Sequence, residues 1–197
     1  MGFRLSKIYT RTGDKGETGL ADGSRIKKSA LRMDVIGTID ELNSWLGAVI
    51  STLQVDSDKK LELAHSYLSG LQHTLFDLGG ELAIPGSALI DASDVELVEE
   101  KIDLLNDALE PLKNFVLPGG SASASQMHLA RTCCRRSERL LFTLLEQEED
   151  KVNPLSVQFI NRLSDFLFVL SRYVIVVKGI EEVIWQPKGS IERPGSN

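Results

Sequence analysis

The chain has 197 residues, 42% of them hydrophobic and 25% charged, and its 22 Lys+Arg against 28 Asp+Glu leave a net charge of −6. That length and apolar content suit one domain with a sizeable core. The acidic balance argues against broad nucleic-acid binding, which needs a basic surface to displace counterions from phosphates, but a small anion remains open wherever cations cluster.

Residues 10 to 28, opening Thr10-Arg-Thr-Gly-Asp-Lys-Gly-Glu-Thr-Gly19, are rich in Gly, Thr, Lys and Asp. Glycines let backbone N–H groups converge, hydroxyls add donors, and Arg11 and Lys15 add charge, so the segment has the ingredients of a phosphate cradle. It contains no G-x-x-x-x-G-K-[ST] run, and the same composition also describes a turn-rich arm. Five segments with helical apolar spacing follow. The first steps through Ile39, Leu42, Leu46, Val49 and Leu53, and the second from Leu61 through Leu68, Leu75 and Leu78 to Leu82. The third spans Val95 to Leu109 behind a capping box read at Ser93 and Glu96. The fourth runs from about Ser123 to Glu148, and the fifth starts at Asn153-Pro154 and ends near Gly179. Alternating three-four spacing suits nearly parallel packing, so the expected fold is all-α, a single five-helix bundle. The expected organisation is an arm over residues 1–30, a bundle over 31–180 and a polar tail over 181–197. Strand signals are confined to Lys7–Tyr9 and Val183–Trp185.

The only cysteines, Cys133 and Cys134, are neighbours in the fourth helical pattern. Their side chains point about 100° apart, so no bridge between them is expected, which suits a reducing compartment. The best apolar run, Phe166–Val177, is too short for a bilayer and is broken by Ser171 and Arg172. The N-terminus, MGFRLSKIYT, lacks the apolar stretch of a signal peptide; a cytoplasmic protein with no membrane partner is expected.

The fourth segment carries the strongest chemical signal. His128, Arg131, Arg135, Glu138 and Arg139 recur at three-four spacing, with Arg136 beside them, so they share a helix face. A solvated cationic stripe would look the same. Against an acidic chain, though, four arginines are a local inversion, and their forked donors suit a polyphosphate. Asp40 lies beside Ile39 at the edge of the first apolar stripe, where a buried carboxylate would need a cation such as Arg131 from a neighbouring helix and a solvent-facing one would need no partner. Asn161, Ser164 and Asp165 are placed opposite the aliphatic stripe of the fifth segment. Glu62-x-x-His65 has di-iron spacing, but no second such motif accompanies it.

Taken together, KIYTRTGDKGETGL, VIGTIDELNSWLG, FVLPGG, ARTCCRRSERLL and NRLSD resemble the PduO-type ATP:cob(I)alamin adenosyltransferases, in order and with similar spacing from about Lys7 to Tyr173. The resemblance implies a homotrimer with active sites between adjacent subunits, and transfer of the 5′-deoxyadenosyl group of ATP, with Mg²⁺, to cob(I)alamin with release of triphosphate. Matched position by position, Thr10, Arg11, Thr12, Gly13, Thr18 and Lys28 fall in the family's N-terminal ATP loop. Arg135, Arg136, Glu138 and Arg139 fall in its helical ATP segment, and Asn161 matches a further nucleotide contact. Arg135 is implied as the main catalytic cation. Asp40 and Arg131 match a salt bridge that shapes the site between subunits. Phe115 matches the aromatic that displaces the lower axial ligand of cob(II)alamin to make it reducible. Ser137 stands where many relatives have Ala. A reductase and an adenosylcobalamin-dependent client enzyme are the implied partners. A cofactor escort and a nucleotide sensor without catalysis are the competing readings, separated from the enzyme by ATP-dependent formation of a cobalt–carbon bond.

Overall fold

The computed structural model describes Tyr9 and residues 11–54 and 59–188. The five helices are α1 (Leu31–Gln54), α2 (Glu62–Leu82), α3 (Ala92–Asn106), α4 (Ala122–Gln147) and α5 (Pro154–Val177). Each turns its periodic apolar residues inward. Leu42, Leu46 and Val49 of α1, Leu68 and Leu78 of α2, and Ile160, Leu163 and Leu170 of α5 are fully buried, each contributing roughly 1.5–3 kcal/mol. α1 packs on α2 and α4, α4 on α5, and α5 on α3, giving the spatial order α2–α1–α4–α5–α3. α5 is therefore covered from two sides. Ser164, expected opposite the core, is buried at 2% exposure for that reason, while Asp165 stays exposed.

The helix ends are set by local chemistry. Pro154 occupies the first turn of α5 behind Asn153, whose side chain caps the Leu155 N–H. Ser121 caps α4. α3 opens on a capping box two residues earlier than expected, formed by Asp91 and Asp94 rather than Ser93 and Glu96. The Asp91 carboxylate takes the role because it also accepts from the Ser93 hydroxyl.

Two buried charges tie one end of the bundle. Arg32, 2% exposed, donates to the Leu82 carbonyl at 2.9 Å and to Glu148 at 2.8 Å. Glu81 accepts from the N–H groups of Leu89 and Ile90, from Asn153 and from Ser156. This end joins the start of α1, the end of α2, the end of α4 and the start of α5.

Outside the helices lies an antiparallel hairpin, β1 (Glu17–Gly19) with β2 (Arg25–Lys27), with Thr18 opposite Ile26. It lies in the arm read as irregular from its composition. Of the expected strand Lys7–Tyr9, Lys7 and Ile8 lie outside the described residues. Val183–Trp185 does pair, as a bridge between Ile184 and Val116. Among the described residues no helix is long and apolar enough to cross a membrane.

Candidate active site

Two surfaces carry the residues singled out by the sequence. The first is the arm. Thr10 lies outside the described residues. Beyond it the chain turns through Arg11 (φ 60°) and Gly16 (φ 86°), and the Gly16 N–H donates to the Gly13 carbonyl at 3.2 Å. The hairpin then returns the chain, so that the Lys28 N–H donates to the Gly16 carbonyl at 2.8 Å. A Cβ at position 13 would sit 3.0 Å from Lys28 Nζ, so glycine there lets the ammonium lie against the loop backbone. Arg25 braces the loop, donating to the Thr12 carbonyl at 3.0 Å and pairing with Glu17 at 3.3 Å. The result is a turn carrying Arg11, Lys15 and Lys28 on exposed side chains. Its tether leads to α2, where the Ala83 carbonyl accepts from the Ala21 N–H at 2.9 Å.

The second surface is the outer face of α4. The core side of this helix is Met127, Ala130, Cys134, Ser137, Leu141 and Leu144. Arg131, Arg135 and Arg139 step by four along the opposite side. Arg135 is exposed and makes no ion pair among the described residues. Arg139 folds back to donate to the Arg135 carbonyl at 2.9 Å. Arg136 is bound to Glu41 of α1, whose carboxylate raises the guanidinium above its usual range. Glu138 accepts from Asn161 of α5 at 2.8 Å, and Asn161 in turn accepts from Arg162 at 2.5 Å. The fold thus brings Glu138 and Asn161 together at the edge of the arginine face.

The chain does not itself join Asp40 to Arg131. The side-chain hydrogen bonds of α1 to α4 run through Thr38, Glu41 and Thr52, whereas Asp40 is turned round the helix toward α2. There, exposed, it lines a groove of about 410 Å³ with Met33, Ile36, Asn43, Leu75 and Phe76. The pairing expected between neighbouring helices is therefore absent within one chain. Arg131 instead is half-buried against α4, where burial and the adjacent Arg135 lower its proton affinity, and donates to His128.

Phe115 is 79% exposed and precedes α4 on an extended segment. Its carbonyl accepts from the Trp185 N–H at 2.7 Å, and its ring meets the Trp185 indole edge-on at 6.2 Å between centroids. Just before α4, Gly120 lets the chain pass close against α5. It has φ 98°, and a Cβ there would fall 2.2 Å from Ile175 of α5. Trp185 carries no site signal in the sequence, because its partner Phe115 lies far along the chain; His128 shares the arginine face there, but its contact with Ser171 of α5 exists only in the fold. Cys133 and Cys134 are both free and buried, and burial raises both thiols, Cys134 well above the ordinary cysteine value.

A family model described as cobalamin adenosyltransferase matches residues 8–174. A cobalamin adenosyltransferase of Cupriavidus metallidurans is 48% identical over 186 residues, covering 94% of this chain and 97% of the relative. A corrinoid adenosyltransferase of Bacillus subtilis is 39% identical over 194 residues, covering 95% and 96%. Among solved structures, a Phe-to-His variant of a PduO-type ATP:corrinoid adenosyltransferase from Lactobacillus reuteri, complexed with cobalamin and ATP, superposes with a TM-score of 0.84 at 33% identity, covering 91% of this chain and 97% of the other. An arginine ridge on α4, a glycine-bearing cationic loop and an exposed aromatic ahead of α4 thus accompany likeness along nearly the whole length, and the chain belongs to the cobalamin adenosyltransferase family.

Proposed function

We propose that this protein uses the α4 arginine ridge and the N-terminal loop to hold ATP while its 5′-deoxyadenosyl group passes to cob(I)alamin, forming adenosylcobalamin. The observation that carries the site assignment is the state of Arg135: a cation on an exposed face, committed to no carboxylate, in a chain of net charge −6. Co(I) supplies the electron pair that forms the cobalt–carbon bond. The C5′–O bond breaks, and its electrons leave on triphosphate. The protein therefore needs no nucleophile of its own; it must align C5′ with cobalt and stabilise charge growing on the leaving oxygen.

In this reading Arg135 is the main cation toward the leaving group. Arg136, Glu138, Arg139 and Asn161 complete the α4 side, while Thr10, Arg11, Thr12, Gly13, Thr18 and Lys28 form the loop side. Phe115 presents an apolar ring to the lower face of the corrinoid, favouring four-coordinate Co(II) that accepts an electron more readily. Mg²⁺ fits as an ion carried by the nucleotide. No cluster of three ligating side chains forms among the described residues, and Mg²⁺ is commonly held by phosphates, waters and one carboxylate, for which Glu138 is available.

The loop tether to α2 and the outward turn of Asp40 support a homotrimer with active sites between subunits, in which Asp40 of one subunit meets Arg131 of the next. A reductase would deliver the electron, and an adenosylcobalamin-dependent enzyme would take the product.

Anaerobic incubation with ATP, Mg²⁺ and chemically reduced cobalamin tests the reading. The adenosylcobalamin spectrum should develop with stoichiometric triphosphate. Tight binding of preformed adenosylcobalamin with no bond formation would overturn it in favour of a carrier.

A further inference from the structure

His128 is a polar side chain only 7% exposed, one turn before Arg131 on α4. Arg131 Nε lies 3.4 Å from its Nδ1, and Ser171 Oγ of α5 lies 3.3 Å from its Nε2. Ser171 Oγ is also 2.7 Å from the Phe168 carbonyl. These contacts fix every proton. A guanidinium can only donate, so Nδ1 must offer a lone pair and the ring proton must sit on Nε2. The serine has one proton, spent on the Phe168 carbonyl, so its oxygen accepts from Nε2–H. The hydrogen bonds run from Arg131 through His128 and Ser171 to the Phe168 carbonyl, which accepts the last, with the imidazole neutral. The void beside the ring, lined by Val116, Gly120, Arg172 and Glu182, is about 10 Å³. That is at the lower limit for one water, so the ring's partners are protein groups.

We propose that His128 is a positioning residue for Arg131, a neutral imidazole anchored on α5 whose lone pair fixes the direction of the guanidinium. The proposal rests on the reading of Arg131 as a residue of the inter-subunit site. It gives that site a dependence on pH. The charged groups facing the ring are Arg131 on its own helix, Arg172 on α5, and Glu182, which is itself paired with Arg172 at 2.7 Å. Burial and then Arg131 lower the proton affinity of the ring, and Glu182 opposes them. Protonation would place a hydrogen on Nδ1 and set two like charges against each other. With the folded value below the ordinary histidine value of about 6.5, the relay is complete above that pH and is lost as pH falls through the lower folded value.

Nitrogen-detected NMR of the intact protein reads this directly, since the chain has only 3 histidines. His128 should show the Nε2–H tautomer and titrate below the ordinary range, and R131A should raise its midpoint. An Nδ1–H tautomer, or a titration indifferent to R131A, would overturn the relay. Activity supplies a second arm. Asparagine places its carbonyl oxygen where Nδ1 lies, and glutamine places its amide where Nε2 lies. H128N should retain turnover within about threefold and lose the acid limb of the pH profile, while H128Q should fall about tenfold or more, the scale of a lost hydrogen bond to a charged group. In an R131A background H128Q should cost nothing further; an undiminished cost there would contradict action through Arg131. Should R131A alone adenosylate like the wild type, the site reading of Arg131 fails, and the NMR result still decides the relay.

Discussion

Arg135 and Phe115 share a property that makes their roles separable from folding: both project from secure backbone outside the core. Arg135 sits in the middle of a 26-residue helix, and Phe115 is 79% exposed. Arg135→Ala should therefore leave the thermal midpoint unchanged while slowing adenosyl transfer about 10²–10³-fold, the usual effect of removing one donor from a developing charge. Steady-state kinetics beside a melting curve check this, and a rise in KM with kcat unchanged would assign Arg135 to binding alone. Phe115→Ala should likewise keep the fold and diminish the four-coordinate Co(II) signal in electronic spectra. Persistence of the full signal would pass the displacing role to another group, with Trp185 the adjacent aromatic.

Among the elements, what holds the site is the joint where α1, α2, α4 and α5 meet. Arg32 there spans 50 residues to Leu82 and 116 to Glu148. Arg32→Ala would strand the Leu82 carbonyl and leave Glu148 unpaired, at a cost of about 3 kcal/mol in chemical denaturation. A cost below about 0.5 kcal/mol, typical of an exposed substitution, would contradict the clamp. The same residues mark what the sequence made legible. The helices and the arginine face follow from spacings of three and four, which any local reading detects. Arg32, the Asn153 and Ser156 contacts of Glu81, and the Ser171 end of the His128 relay depend on partners brought near by tertiary packing. Asp91 and Ser93 are both good caps two residues apart, so the choice between them depended on geometry. The hairpin at Glu17–Lys27 lacks apolar alternation, and its turn residues read equally well as loop.

For the whole molecule, the α1–α2 groove bears on assembly. It combines exposed Phe76 with Asp40 and with Asn43, whose Oδ1 is buried and has no hydrogen-bond partner among the described residues. An exposed apolar ring is costly in an isolated chain and is relieved by a covering surface. Asp40→Ala should accordingly weaken subunit association and turnover together, with R131A giving the same shift and the double variant adding little. Sedimentation at decreasing concentration reads the association. Intact trimers in D40A at every concentration, with full turnover, would remove Asp40 from the interface.

The central claim is that the arginine ridge and the glycine-bearing loop grip one nucleotide, and a crystal structure of the protein with ATP and Mg²⁺ tests it most directly. Triphosphate oxygens should lie within hydrogen-bonding reach of Arg135 on one side and of Lys28 and the Gly13 backbone on the other. Phosphates bound elsewhere, with Arg135 still facing solvent, would contradict it.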